Sequence, residues 1–161
     1  MAIPPRRYKI VLAYDGTAYS GYQRQDNGVA VQQRVEEVLE IINHEPVRVY
    51  GSSRTDAGVH AKGFVAHFDL VQPVPPANLV RAMNTRLPPD VRVMRAAYAR
   101  PDFDARKDAK GKEYRYFVYN ASILPPHLAR AMQTEDLRQT TFSKYYLSRI
   151  YDQRRRELTW M

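Results

Sequence analysis

Three side chains able to do chemistry, Arg54, Asp56 and His60, fall within the stretch Arg54-Thr55-Asp56-Ala57-Gly58-Val59-His60-Ala61. Arg54 is a permanent cation. Asp56 is a carboxylate that can attack an electrophile or stabilise a developing positive charge. His60 has an imidazole that titrates near neutrality, but it suits a hydrogen-bonded structural histidine better than a general base. The same residues also suit a surface turn closed by an Arg–Asp ion pair. Asp56 is the single acid of the stretch, so any chemistry here rests on one carboxylate.

Two segments must position these groups. Upstream, Val47-Arg48-Val49-Tyr50 alternates β-branched and aromatic residues with a charge, and Phe64 to Leu70 alternates apolar positions with His67 and Asp69. Period-2 patterns of this kind predict half-buried strands. Gly51, Ser52, Ser53 and Gly58 let the connection turn or approach a ligand closely. A carboxylate and a guanidinium two residues apart, on a loop held by two strands, form a plausible active site.

Composition narrows the classes. A chain of 161 residues has room for one domain with a sizeable core. Lys and Arg number 25 against 17 Asp and Glu, a net charge of +8 that favours a polyanionic partner, with nucleic acid the first choice. No basic amphipathic helix supports a membrane surface instead. The absence of cysteine excludes disulfides, a thiol nucleophile and thiolate-bound zinc. The first residues, Met1 to Arg7, contain no apolar signal core, and no run approaches the roughly 20 apolar residues that span a bilayer. A cytoplasmic protein without membrane association is the expectation.

In chain order, Tyr8 to Tyr14 reads as a strand ended by Asp15-Gly16. Tyr19-Ser20-Gly21-Tyr22-Gln23-Arg24-Gln25 interleaves aromatic, amide and basic groups in a way that suits RNA bases and phosphates, and equally an ordinary strand edge. Val31, Val35, Val38, Leu39 and Ile42 share one helix face. A shorter helix is expected from Ala77 to about Arg86, bearing Arg81 and Arg86 as ordinary surface cations, and then a strand from Val91. Glu113 to Asn120 is an aromatic-rich strand with Tyr114 on one face. The order βαββαβ predicts an α+β, ferredoxin-like or RRM-like sandwich. It has helices on one face of an antiparallel sheet, the other face free, and a further strand near 112–120.

The octapeptide resembles the signature of the tRNA pseudouridine synthase A family. Asp15-Gly16 with the following aromatic and Gln23-Arg24-Gln25 resembles a second family segment, with Tyr22 where Trp is frequent. Phe103-Asp104-Ala105-Arg106 leading to Tyr114-Arg115-Tyr116 resembles a third, with Asp104 where His is frequent. The resemblance implies isomerisation of uridine to pseudouridine in the tRNA anticodon stem-loop, with no metal and no cofactor. The base is displaced and the N-glycosidic bond broken and remade to carbon. By resemblance Asp56 is the essential carboxylate, Arg54 assists displacement, Tyr114 stacks on the target base and Arg24 contacts RNA. Thr55, Gly58 and His60 shape the loop. Glycosidases, by contrast, use a carboxylate pair to deliver water.

The resemblance spans residues 8–120, so 1–120 is expected to be one α/β domain. Residues 121–161 read as a linker and an atypical basic tail, helical if Thr134 caps it and Phe142, Tyr146 and Ile150 form a stripe. The family's second α/β half, with much of the RNA and homodimer surface, has no counterpart in these residues. Three readings follow: a tRNA pseudouridine synthase, a truncated non-catalytic RNA-binding module, and an unrelated ferredoxin-like interaction domain.

Overall fold

The structure is a computed structural model that describes residues 4–118 and 142–147. Its elements are β1 (Arg6–Tyr14), α1 (Val31–Asn43), β2 (Tyr50–Gly51), β3 (His60–Leu70), α2 (Pro76–Arg86), β4 (Val91–Tyr98), β5 (Glu113–Val118) and β6 (Phe142–Leu147). The first six follow the expected βαββαβ order. β1 lies between β3 and β4, antiparallel to both, and β2 pairs antiparallel with the far side of β3. This is the α+β, ferredoxin-like arrangement.

Alternation dictates which face is core. Tyr8, Ile10, Leu12 and Tyr14 of β1 and Phe64, Ala66, Phe68 and Leu70 of β3 are buried together. They meet Val31, Val35, Val38 and Leu39 of α1 and Leu79 and Met83 of α2, the apolar faces of the two helices. α1 ends at His44, which adopts the left-handed conformation and donates its N–H to Glu40.

Several expectations change. The strand expected over Val47–Tyr50 narrows to Tyr50–Gly51. Val47 and Val49 are core residues, but the Val49 backbone is bonded to α1 side chains rather than to a ladder. Its N–H donates to Glu36 Oε1 (3.0 Å), and its carbonyl accepts from Gln32 Nε2 (2.9 Å). β3 starts at His60, not Phe64, so His60 and Ala61 belong to a strand. Tyr19 and Tyr22 are buried at 6% and 2% exposure, so neither offers a stacking platform for bases.

The second face of the sheet is not free either. Residues 99–105 cross it, packing Phe103 and Ala105 on Val65 beside Val11 and Ala99. The alternation that put His67 and Asp69 on that face is correct. The covering segment is a tertiary event that alternation cannot reveal, and it buries His67.

Phe142–Leu147 forms β6 rather than part of a helical stripe; Thr134 and Ile150 lie outside the described residues. β6 pairs antiparallel with β5 and parallel with the first residues of β3, through His60↔Tyr145 and Ala61↔Tyr146. An aromatic-rich segment beside an unpaired strand edge gains more from the ladder than from a solitary helix.

Candidate active site

The octapeptide forms the approach to β3, and the chain before α1 clamps it. The Tyr14 and Thr55 hydroxyls, both buried, lie 2.8 Å apart. The Tyr22 N–H donates to the Thr55 carbonyl (3.1 Å) and the Gly58 N–H to the Tyr19 carbonyl (3.3 Å). Within the loop, the Val59 N–H donates to the Asp56 carbonyl at 3.2 Å, and Gly58 holds a positive φ of 76°. Gly21, at φ 93°, lies so close that a Cβ there would be 2.6 Å from the Thr55 oxygen. These constraints pin Thr55 and Gly58 and leave Asp56 and Ala57 exposed between them.

His60 closes the clamp from the strand side. Its side chain is buried, with Nδ1 2.9 Å from Asp15 Oδ1 and 3.2 Å from the Gly16 nitrogen. One nitrogen cannot donate to the carboxylate and accept from the amide at once. The Gly16 N–H donates to Nδ1, and the Asp15 carboxylate lies against the same atom, so the imidazole is held by both residues of the turn. Burial works to raise the Asp15 carboxyl, but hydrogen bonds from Thr17 and the adjacent His60 outweigh it, and Asp15 is held below the usual carboxylate range. His60 thus contacts both Asp15 and Gly16 from the strand side. Sequence reasoning named Asp15-Gly16 as a turn and as part of a family-like segment, with no partner for its carboxylate. Its role as the counterpart of His60 is a contact across 45 positions.

The Asp56 carboxylate makes no hydrogen bond or ion pair with another described side chain, and neither does the exposed Arg54 guanidinium. The Arg54–Asp56 ion pair of a mere surface turn is thus not formed. Arg54 and Arg24 line one open cleft of about 1180 Å³, together with Arg48, Arg106, Lys107 and Lys112. Arg24 lies 3.4 Å from Glu36 and is otherwise exposed. Asp56 and Tyr114 lie outside the lining of this cleft. Tyr114 is half exposed, and the register Ala61↔Tyr146↔Tyr114 places its backbone two strand spacings, roughly 10 Å, from the start of β3. Asp104, at the position where the resemblance expects His, accepts the N–H groups of Arg106 and Lys107, both at 2.9 Å. It is a turn cap.

Because the Tyr14–Thr55 pair is buried, Tyr14→Phe leaves the Thr55 hydroxyl short of its partner. We expect a loss of about 1–2 kcal/mol in urea unfolding with an unchanged m-value. By contrast, the buried Tyr22 hydroxyl has no partner among the described residues, so Tyr22→Phe is expected to shift stability by less than about 1 kcal/mol.

A family model described as tRNA pseudouridine synthase matches residues 10–107. The tRNA pseudouridine synthase A of Exiguobacterium sibiricum is 52% identical over 113 residues, covering 70% of this chain and 45% of that protein. That of Limosilactobacillus fermentum is 49% identical over 123 residues, covering 74% and 48%. A tRNA pseudouridine synthase A 2 of Clostridium perfringens is 36% identical over 151 residues, covering 89% and 61%. The chain thus spans about half the length of the curated relatives it matches.

Proposed function

This chain belongs to the tRNA pseudouridine synthase family, and on that premise we propose that it isomerises uridine to pseudouridine in the tRNA anticodon stem-loop, with Asp56 as the essential carboxylate. In the reaction the bond from ribose C1′ to N1 breaks and a bond from C1′ to C5 forms. N1 takes up a proton and C5 releases its own, so no redox partner is needed. Asp56 serves C1′ as nucleophile or as counter-charge. Arg54 fills the place of the displaced base, Tyr114 stacks on the uracil and Arg24 contacts the RNA backbone. The cytoplasm, where tRNA is processed, is the proposed setting, and a homodimer the proposed assembly.

The observation that carries this reading is the uncommitted, exposed Asp56 carboxylate on a loop whose flanks are clamped on both sides. A clamped loop presents its one free acid without paying reorganisation at the moment of reaction. The net charge of +8 suits a tRNA partner.

The experiment is tritium release from tRNA carrying 5-tritiated uridine. Release by the 161-residue chain supports the enzyme. RNA binding without release favours the second reading, a non-catalytic RNA-binding module, which the coverage of about half of each relative keeps in view.

A further inference from the structure

Residues 99–108 cross the second sheet face and end at the rim of the open cleft, whose lining mixes six cations with the carboxylates of Asp26, Glu36, Glu37, Glu40 and Asp104. The crossing is held at three points. The Ala99 N–H donates to the Arg7 carbonyl (3.0 Å), and Arg7 Nη1 donates to the Phe103 carbonyl (2.9 Å). The third is buried: the Ala105 N–H donates to Nδ1 of His67 at 3.0 Å. Immediately beyond it, Arg106 and Lys107 are turned outward by the Asp104 cap. Both are exposed, both line the cleft that holds Arg24 and Arg54, and neither side chain has a hydrogen bond or ion pair among the described residues. Structural cations on this surface behave differently: Arg7 is paired with Asp69, and Arg100 with Asp102 and Asp108.

We propose that Arg106 and Lys107 form a phosphate-binding lip of the RNA cleft, and that His67 positions this lip by accepting the Ala105 N–H on an unprotonated ring nitrogen. The proposal rests on the RNA-binding reading above. Two adjacent unpaired cations at the rim suit consecutive backbone phosphates, which fix register without reading sequence.

His67 has surroundings that explain why it can accept. It is buried, stacks on Tyr50 of β2 (5.1 Å) and meets the edge of Phe103 (5.9 Å). The charged groups facing it are Arg7 and its register partner Lys9 on β1, Asp69 on its own strand, and Asp104 and Asp108 on the crossing segment. Burial, helped by Arg7, outweighs the carboxylates and keeps the ring below the usual imidazole range. A ring protonated on Nδ1 has no lone pair for the Ala105 N–H, so acid opens the contact. The sign is diagnostic. Histidine protonation adds positive charge and by itself tightens RNA binding, whereas release of the lip weakens it.

The test measures affinity of the whole 161-residue chain for an anticodon stem-loop RNA, across a salt series, at pH about 7.5 and about 4.5, the lower value set well under the free imidazole value because His67 is held below it. At the higher pH, Arg106→Ala with Lys107→Ala is expected to weaken binding about tenfold or more and to reduce the salt slope by about 2, one for each lost phosphate contact. The parent is expected to weaken several-fold on acidification. His67→Asn places an amide oxygen where Nδ1 was and does not titrate, so it loses this acid weakening. The double variant, changed only at exposed positions, loses it too, whatever His67→Asn does to folding. An unchanged salt slope in the double variant overturns the lip. The same acid response in the parent and in a folded His67→Asn overturns the positioning. No RNA binding by the parent at either pH overturns the RNA reading and the lip together, while binding without tritium release leaves both standing and removes only the enzyme.

Discussion

On the proposed function, Asp56→Asn is expected to abolish tritium release from 5-tritiated uridine in tRNA while the folded domain and its RNA affinity persist. The expected loss is on the order of 10⁴-fold or more, the scale seen when a group that forms or stabilises the covalent intermediate is removed. Stability should stay within about 0.5 kcal/mol of the parent, because the carboxylate is exposed and holds no partner among the described residues. This combination is what separates a chemical role from a structural one. If Asp56 were one arm of a surface ion pair, the variant would lose little in either measurement. Residual turnover above about one per cent of the parent would overturn the assignment of Asp56. A parallel Arg54→Ala variant should reduce both binding and turnover, since a base-displacing cation touches the RNA before and during the reaction.

The second large effect is expected from a residue with no side chain. A Cβ at Gly16 would fall on the Val59 carbonyl, 2.6 Å from its carbon and 3.0 Å from the Val59 nitrogen. These are backbone atoms, so no side-chain rotation relieves the overlap. Gly16→Ala must push the turn after β1 away from the octapeptide, and the Asp15–His60 contact lies in that same interface. Overpacking of this kind costs about 1–3 kcal/mol, or a fall in Tm of roughly 3–10 °C for a chain of this size. Turnover should fall by more than the lost stability explains, because the displaced loop carries Asp56. Thermal unfolding and tritium release measured on the same preparation check this. A melting temperature within a degree of the parent would show that the two backbones are not in the contact described.

Acid should act on the clamp as well. The Asp15 carboxyl is lowered in the folded chain, so its contribution to stability is present above the ordinary carboxylate value near 4 and is lost as pH falls through the folded value. His67 works in a higher window. Its folded value is depressed, so the unfolded chain binds the proton first, and stability declines as pH falls below about 6.5. Unfolding followed from pH 7 downward should therefore weaken in two stages.

Much of this could be read from residue order alone. The two helices followed from apolar spacing over Val31 to Ile42 and from Ala77 to about Arg86, within a residue of the observed bounds, and the strand periods marked which residues of β1 and β3 enter the core. These patterns are local: a period of 2 or 3.6 is set by backbone geometry within a few residues. Arg54, Asp56 and His60 were likewise legible as a unit, because they lie in one short loop. What only the tertiary structure decided are the relations between distant segments. It paired His60 with Asp15 and Thr55 with Tyr14. It buried Tyr19 and Tyr22 and drew residues 99–105 over the second face onto His67. It also set Phe142–Leu147 as a strand beside the start of β3. The reason is the same in each case. Hydrogen-bond partners and burial depend on which segments come together, and composition and periodicity within a segment carry no term for what lies tens of residues away.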